Sequence, residues 1–218
     1  MSARLLDEGF RSCLPLRVRY DDGGCTPLAL QRWQGRARGA DDSLLALADA
    51  PTLDIGCGPG RLAAAIVGSG VPALGIDISP VAVWLTRRAG APAALASVFG
   101  DVPGSGSWPV AVLADGNIGI GGDPVRLLSR VRAVLAPRGR LLVELESPST
   151  GLVLQRVRLE DHAGRAGSWF PWAQVGVDAL TALAREAGLA VAQSWSAPDV
   201  GEHDGGQELR WFAELRAA

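Results

Sequence analysis

From residue 51 to the C-terminus, continuous apolar runs alternate with segments whose apolar residues recur at helical spacing. The first five runs are residues 51–55, 71–77, 92–99, 108–115 and 140–145. Strands that are apolar on both faces and connected through helices are typical of a parallel sheet with helices on both faces. Two later runs, 189–196 and 208–215, are joined by a turn alone, so they must pair antiparallel. The chain is therefore predicted to be an α/β protein with a seven-stranded, mostly parallel sheet whose last strand is antiparallel.

Two parts of the chain depart from this alternation. Residues 1–50 contain two predicted helices, 26–36 and 41–49, which we expect to form an N-terminal helical cover over a domain spanning 51–218. Residues 152–159 and 168–175 are extended segments around a polar turn. They predict a β-hairpin insertion, 152–175, after the fifth strand of the main sheet.

A glycine-rich turn follows the first apolar run. Residues Leu53–Arg61 read LDIGCGPGR, a strand that turns through GxGxG into a helix, and Asp77 ends the second run. Glycines allow the backbone to approach a ligand at a helix N-terminus, where free N–H groups attract polar or anionic groups. An acid at the tip of the neighbouring strand is placed to accept hydrogen bonds from ribose hydroxyls. A dinucleotide fingerprint would have glycine at position 61, where this chain has Arg61.

The fourth apolar run ends in a motif that contains Asp115, and a Pro-x-Gly turn precedes the fifth strand. Together with the glycine-rich turn and Asp77, these motifs resemble those of the class I S-adenosylmethionine-dependent methyltransferases, whose fold is Rossmann-like. The motifs cover residues 51–147. The resemblance implies S-adenosylmethionine as cofactor and S-adenosylhomocysteine as product. The implied cofactor-binding residues are Asp54, Gly56, Cys57, Gly58, Gly60, Asp77, Ile78, Ser97, Val98, Ala114 and Asp115.

The resemblance also implies separate roles for these residues. The glycines would line the methionine portion, with Asp54 near its amino group. Asp77 would bind the ribose hydroxyls, and Ile78 would pack on the adenine. Where the family often has an acid after the third strand, this chain has Ser97 and Val98, so the serine or the backbone of the valine would meet the adenine amino group.

The acceptor is expected to be a small organic molecule. It would approach over the glycine-rich loop 115–123, where Asn117 is a candidate for orienting it. Trp169 and Trp172 lie on the predicted hairpin, and Trp33 and Tyr20 lie in the N-terminal cover. Aromatic side chains on covering elements suit an apolar ligand with a polar group, although they could equally anchor the hairpin to the domain.

Few side chains are available as a general base near neutral pH. The chain has two histidines, and His162 in the hairpin turn is the candidate, with His203 second. Both lie among loop residues typical of solvated surface. Glu144, Glu146 and Tyr20 are further candidates. Because a sulfonium is already an excellent leaving group, orientation and proximity could supply much of the catalysis.

Composition excludes several other classes of protein. All 21 basic side chains are arginine, which excludes lysine Schiff bases and Walker-type phosphate loops. A net charge of −2 and the lack of a basic patch disfavour nucleic acid as partner. No apolar run approaches the length of a membrane span, and three cysteines without CxxC spacing predict neither disulfides nor a metal site. A cytoplasmic protein is therefore expected.

These observations predict methyl transfer from S-adenosylmethionine to an oxygen, nitrogen or carbon atom of a small acceptor. Two alternatives stay open. The chain could bind this cofactor without transferring its methyl group, as a cyclase of methyltransferase ancestry would. It could also be a nicotinamide-dependent oxidoreductase, which Arg61 in place of the third fingerprint glycine disfavours.

Overall fold

The computed structural model describes residues 3–12, 14–200 and 207–217, so His203 lies outside the described residues. Its helices are α1 (Ala3–Ser12), α2 (Leu30–Gln34), α3 (Ala40–Leu45), α4 (Arg61–Gly68), α5 (Pro80–Arg88), α6 (Pro124–Val134) and α7 (Val177–Glu186), with a short 3-10 helix at Asn117–Gly119. Its strands are β1 (Leu16–Tyr20), β2 (Cys25–Pro27), β3 (Thr52–Ile55), β4 (Ala73–Asp77), β5 (Ala93–Leu95), β6 (Trp108–Leu113), β7 (Leu135–Leu145), β8 (Leu152–Asp161), β9 (Phe170–Val175), β10 (Leu189–Val200) and β11 (Gln207–Ala217).

Seven strands form the main sheet, in the order β10-β11-β7-β6-β3-β4-β5. The five strands from β7 to β5 are parallel, whereas β11 pairs antiparallel with both β7 and β10. The predicted seven-stranded sheet with an antiparallel last strand is thereby confirmed. The third predicted strand is shorter than expected, because only Ala93–Leu95 of residues 92–99 pairs with β4.

Helices cover both faces of this sheet, as alternation along the central strand β6 shows. Ala111 and Leu113 face a core formed with α6 and α7, while Val110 and Val112 face a core formed with α3 and α4. All four side chains are fully buried, because each contacts one of the two helical layers. The sequence favours helices at these places, since Ser79 caps α5 and Asp123 caps α6, each followed by proline at the first turn.

The predicted N-terminal helical cover is wrong in part, because the cover also contains strands. Helix α1 had no sequence prediction, and the helices expected at 26–36 and 41–49 shrink to α2 and α3. Strand β1 pairs antiparallel with β2 on one side and with β8 on the other. Residues 16–20 alternate apolar and charged side chains, as a strand would, but the partner β8 is remote in sequence, so the pairing itself has no local signal.

The hairpin insertion is present as β8 and β9, but it does not stand alone. With β1 and β2 it forms a second, four-stranded antiparallel sheet in the order β2-β1-β8-β9. This small sheet contacts the main domain through β9, whose Trp172 forms an isolated bridge with Ile120 after the fourth strand of the main sheet. The small sheet therefore covers the carboxyl ends of the parallel strands, the edge at which ligands bind in open α/β sheets.

Candidate active site

One cavity of about 820 Å³ lies between the carboxyl ends of the parallel strands and the small sheet. The glycine-rich turn after β3, the tip of β4 and the loop after β6 line one side of it. Side chains from β1, α2, β8 and β9 line the other side. The two sheets therefore enclose a single site that neither forms alone.

The glycine-rich turn adopts backbone conformations that favour glycine. Gly56, Gly58 and Gly60 have φ values of +72°, +53° and +92°. A Cβ atom on Gly60 would also lie 2.7 Å from the Cα atom of Thr86, so this glycine packs the turn against α5. Gly56 and Gly58 line the cavity, but Gly60 does not, which corrects its expected place beside the cofactor.

Asp77 holds the turn from the neighbouring strand. Its carboxylate accepts hydrogen bonds from the backbone N–H groups of Gly58, at 3.0 Å, and Ser79, at 2.8 Å. Burial raises the pKa of Asp77, and these hydrogen bonds oppose the rise because they stabilise the charged form. Asp77 lines the cavity at the tip of β4, where the resemblance expects the ribose hydroxyls.

Asp54, at the end of β3, is buried and lines the cavity beneath the turn. It accepts a hydrogen bond from the backbone N–H of Ala63 in the first turn of α4, at 3.2 Å. Burial, followed by the negative charge of Asp115, raises the pKa of Asp54 to about 7. Asp54 therefore changes charge near neutral pH unless a cation binds beside it.

This raised pKa predicts a pH dependence for cofactor binding. If the Asp54 carboxylate binds the cofactor ammonium, binding requires the ionised form, which the free protein loses as pH falls below about 7. We expect the Kd for S-adenosylmethionine to rise by up to about tenfold for each pH unit below 7, since one pKa unit corresponds to ~1.4 kcal/mol. Calorimetry between pH 5.5 and 7 measures this, and Asp54→Asn should remove the slope. A constant Kd over this range would contradict the assignment.

The other predicted cofactor residues also reach the cavity. These residues are Cys57, Ile78, Ser97, Val98, Ala114 and Asp115. The thiol of Cys57 lies 3.5 Å from the hydroxyl oxygen of Thr86, and burial raises the thiol pKa above its ordinary value. Cys57 therefore fills space in the turn and is unsuited to act as a thiolate nucleophile.

A network of ion pairs at the floor of the cavity was missed from the sequence. Asp115 accepts hydrogen bonds from Arg61, at 2.6 Å, and from Arg32, at 2.9 Å. Arg210 on β11 donates two hydrogen bonds to Glu144 on β7, both at 2.7 Å. Asp41 on α3 accepts hydrogen bonds from both Arg61 and Arg210. The network therefore links the N-terminal cover, the cofactor turn and the last strands.

The network sets the charges of its members. Burial raises the pKa of Glu144, but the bidentate hydrogen bonds and positive charge of Arg210 outweigh burial, so the pKa lies below its ordinary value. Glu144 is therefore held as an anion by Arg210 and is a poor general base. Burial lowers the pKa of Arg61, and its Nε atom is buried without a hydrogen-bond partner among the described residues. The only sequence signal for this network was an arginine at the third fingerprint position.

The loop after β6 is held by contacts that the sequence did not predict. Asn117 donates hydrogen bonds to the carbonyl oxygens of Ile55 and Gly56, both at 3.0 Å. Its amide nitrogen therefore anchors the glycine-rich turn. A Cβ atom on Gly119 would lie 2.2 Å from the carbonyl oxygen of Ala173, so this glycine lets the loop approach β9. The close contact between this loop and β9 of the small sheet thus requires glycine at position 119.

Of the predicted acceptor residues, Tyr20, Trp33 and Trp172 line the cavity together with Asn117. Trp169 does not, because its ring lies under the guanidinium of Arg158, 4.8 Å from the ring centroid. His162 lies exposed in the turn between β8 and β9 and is not among the cavity-lining residues. The structure therefore does not bring the predicted base to the site, since the turn extends past the cavity wall.

Comparisons with known proteins identify the family and the fold. A family model described as a methyltransferase domain matches residues 32–194. A methyltransferase structure from Bacteroides fragilis, in complex with S-adenosylhomocysteine, is 19% identical, with a TM-score of 0.75, over 99% of this chain and 94% of that one. The 1,6-didemethyltoxoflavin-N1-methyltransferase of Burkholderia thailandensis is 22% identical, with a TM-score of 0.64, over 100% and 89% of the two chains. No curated protein sequence matches.

The fold is that of an α/β enzyme, and the cavity lies at the carboxyl ends of its parallel strands. The chain belongs to the methyltransferase domain family, because the family model covers most of its length. The predicted family, fold and enzyme class are confirmed, and the predicted cofactor agrees with what the similar structures hold. No helix in the described part of the chain is long and apolar enough to cross a membrane.

Proposed function

We propose that this protein transfers a methyl group from S-adenosylmethionine to a small organic acceptor in the cytoplasm. The observation that carries the proposal is that one cavity contains both the glycine-rich turn with Asp77 and an aromatic wall from the second sheet. A donor held at the turn and an acceptor held at the wall would share a single enclosed space. The N-terminal 50 residues and the 152–175 hairpin would then serve as the acceptor cover.

The residues of the glycine-rich turn and of the tip of β4 fit the cofactor. Gly56 and Gly58 line the cavity, and α4 begins directly after the turn, so free N–H groups at its start would bind the methionine carboxylate of the cofactor. The orphaned Nε of Arg61 is a buried donor at the same helix start. Asp77 would accept hydrogen bonds from ribose, and Ile78, 42% exposed, offers an apolar surface to the adenine. Bound S-adenosylmethionine supplies a methyl group on a positively charged sulfur, which is an excellent leaving group.

The protein's own contribution is orientation and exclusion of water. The small sheet covers the site, and the loop after β6 is fixed against β9, so the acceptor wall keeps its distance from the cofactor turn. Such positioning can supply a large part of the rate enhancement when the leaving group is already good. Glu146 and Tyr20 line the cavity and are the candidates for accepting a proton.

The similar structures support a small acceptor. The Burkholderia thailandensis enzyme holds 1,6-didemethyltoxoflavin together with S-adenosylhomocysteine, and a magnesium protoporphyrin IX methyltransferase from Synechocystis holds S-adenosylmethionine. The Synechocystis enzyme is 14% identical with a TM-score of 0.61, and the comparison covers 100% of this chain and 98% of that one. Each of these enzymes is named for a small-molecule acceptor, which agrees with the acceptor class proposed here.

Calorimetric titration tests the proposal. We expect S-adenosylmethionine and S-adenosylhomocysteine to bind, and NADH not to bind. Formation of S-adenosylhomocysteine from S-adenosylmethionine, followed by mass spectrometry in the presence of a library of small acceptors, then separates a methyltransferase from a protein that only binds the cofactor. Tight binding of NADH would favour the oxidoreductase alternative. Cofactor binding without methylation of any acceptor would favour a non-methylating enzyme.

A further inference from the structure

The small sheet presents two cross-strand rows of side chains to the cavity. Thr26, Val18 and Leu159 form one row across β2, β1 and β8. Tyr20, Val157 and Phe170 form the next row across β1, β8 and β9. The rows share one face of the sheet, because residues two apart on a strand point the same way. All six residues line the cavity, and none of them is an acid, an arginine or a histidine.

Charged side chains of the same strands lie on the opposite face of the small sheet. Arg19 on β1 and Arg158 on β8 alternate with the residues of the two rows, and both pair with Glu160, at 3.1 and 2.7 Å. None of these three residues lines the cavity. The small sheet is therefore amphipathic, with these ion pairs outside. A charged group that binds against the rows would lose water without gaining a counter-charge from the sheet.

Aromatic rings border the two rows. Trp172 lines the cavity two residues after Phe170, and the ring centroids are 6.1 Å apart with an interplanar angle of 86°. Trp33 on α2 also lines the cavity, and it packs against the apolar cluster that contains Val18 and Leu159. Aromatic side chains bind other rings by offset or edge-on contact. This part of the cavity therefore fits an apolar ring system.

A pair of hydroxyl groups interrupts the apolar surface of the rows. The hydroxyl oxygen of Tyr20 lies 2.8 Å from Oγ1 of Thr26, and either group can be the donor. Thr26 ends the first row and Tyr20 ends the second, so both lie toward the same edge of the small sheet. Two hydroxyls carry two hydrogens, and the contact between them uses one, so the pair keeps one O–H donor and free lone pairs. The pair can therefore bind an uncharged polar group on a ligand.

We propose that the acceptor is an uncharged ring molecule of low polarity, and that the Tyr20–Thr26 pair binds a hydroxyl or carbonyl group on it. The apolar rows bury the ring, and the pair fixes the direction in which the ring lies on the sheet. This proposal rests on the methyl transfer proposed above, because it places the acceptor on the side of the cavity that faces the glycine-rich turn.

Three naphthalenes with a single substituent test the proposal by equilibrium dialysis against the full chain saturated with S-adenosylhomocysteine. The probes are 2-naphthol, 2-methylnaphthalene and 2-naphthoate, which carry a hydroxyl, a methyl group and a carboxylate on the same ring. We expect 2-naphthol to bind about three- to tenfold more tightly than 2-methylnaphthalene, which is the usual contribution of a neutral hydrogen bond. We expect 2-naphthoate to bind most weakly of the three. A preference for 2-naphthol below about twofold, tighter binding of 2-naphthoate, or binding of none of the three would overturn the proposal.

The double variant Tyr20→Phe/Thr26→Val removes both hydroxyls and keeps the shape of the side chains. We expect it to abolish the preference for 2-naphthol over 2-methylnaphthalene while the Kd for 2-methylnaphthalene stays the same. Damage to the packing of the small sheet would instead weaken both probes together, so the ratio of the two Kd values separates binding from structural support. A wild-type preference in the double variant would overturn the assignment of the pair.

Two single variants complete the test. Thr26→Val changes an exposed residue, so it supplies the same measurement if the double variant does not fold, and we expect it to reduce the preference for 2-naphthol. Thr181→Val on α7 makes the same chemical change at an exposed position outside the cavity and should leave the preference unchanged. Failure of S-adenosylhomocysteine to bind to the wild-type chain would count against the proposed methyl transfer, whereas the three probes can still be compared without it.

Discussion

Replacing Arg210 with leucine is expected to lower the free energy of unfolding by about 3–5 kcal/mol. The guanidinium of Arg210 is 7% exposed, and it holds the carboxylates of Glu144 and Asp41 within 2.7 Å. Leucine fills part of the volume but leaves two buried anions without this partner. Removing one member of a buried ion pair costs far more than the pair contributes, because the remaining charge is desolvated and uncompensated.

Urea denaturation followed by tryptophan fluorescence measures this loss. Arg4→Leu is the control, since Arg4 pairs with Glu8 on α1 and its side chain is 94% exposed. An exposed pair contributes about 0–1 kcal/mol, so the control should unfold near the wild-type midpoint. A loss below about 1 kcal/mol for Arg210→Leu would show that the network does not stabilise the fold.

A double variant separates loss of packing from loss of charge. In Arg210→Leu/Glu144→Leu the largest unpaired charge is removed, while Asp41 keeps Arg61 as a partner. Replacing both members of a buried pair by apolar residues is often close to neutral. We therefore expect the double variant to be more stable than the single variant. A further loss on adding Glu144→Leu would show that Glu144 stabilises the fold through other contacts, such as its hydrogen bond from the backbone N–H of Asp115 at 2.7 Å.

Replacing Asp77 with alanine is expected to weaken S-adenosylmethionine binding at least tenfold. A strong hydrogen bond to a charged group contributes ~1.5–3 kcal/mol, and each 1.4 kcal/mol is a factor of about ten in Kd. The structure adds a second reason, because Asp77 also holds the backbone N–H of Gly58 at 3.0 Å. Alanine would therefore remove both the ligand contact and one support of the glycine-rich turn.

Calorimetry with S-adenosylmethionine measures the effect, with circular dichroism to confirm that the variant is folded. Asp77→Asn keeps one acceptor oxygen, so it should lose less affinity than Asp77→Ala. Asp42→Ala removes an exposed acid on α3, outside the cavity, and should leave the Kd unchanged. Unchanged affinity of Asp77→Ala for the cofactor would contradict the assignment of Asp77 to the ribose hydroxyls.

The main sheet and the cofactor side of the site could be predicted because their signals are local. Asp54, the glycines and Asp77 lie at the ends of adjacent parallel strands, so the strand order brings them together without help from distant parts of the chain. The conformations of the turn are equally local, since φ values of +72° and +53° favour glycine at positions 56 and 58. Ten of the eleven predicted cofactor residues line the cavity, and the exception, Gly60, is explained by its contact with α5.

The acceptor side was harder to predict because its contacts join residues far apart in the chain. Strand β1 alternates apolar and charged side chains over five residues only, and which strand it pairs with, β8, cannot be read from that pattern. That pairing carries Tyr20 to the cavity, whereas Trp169 packs against Arg158 on the outside. Aromatic composition alone could not distinguish these two outcomes.

By itself the sequence determined the class of this protein: an α/β methyltransferase whose glycine-rich turn and Asp77 lie at one edge of a parallel sheet. Strand alternation, turn glycines and helix caps act over a few residues, so they can be read along the chain. Only the tertiary structure decided which side chains face the acceptor, because ion pairs such as Arg210 with Asp41 join positions 169 residues apart. The same long-range packing left His162 in an exposed turn and placed six acids and three arginines around the cavity.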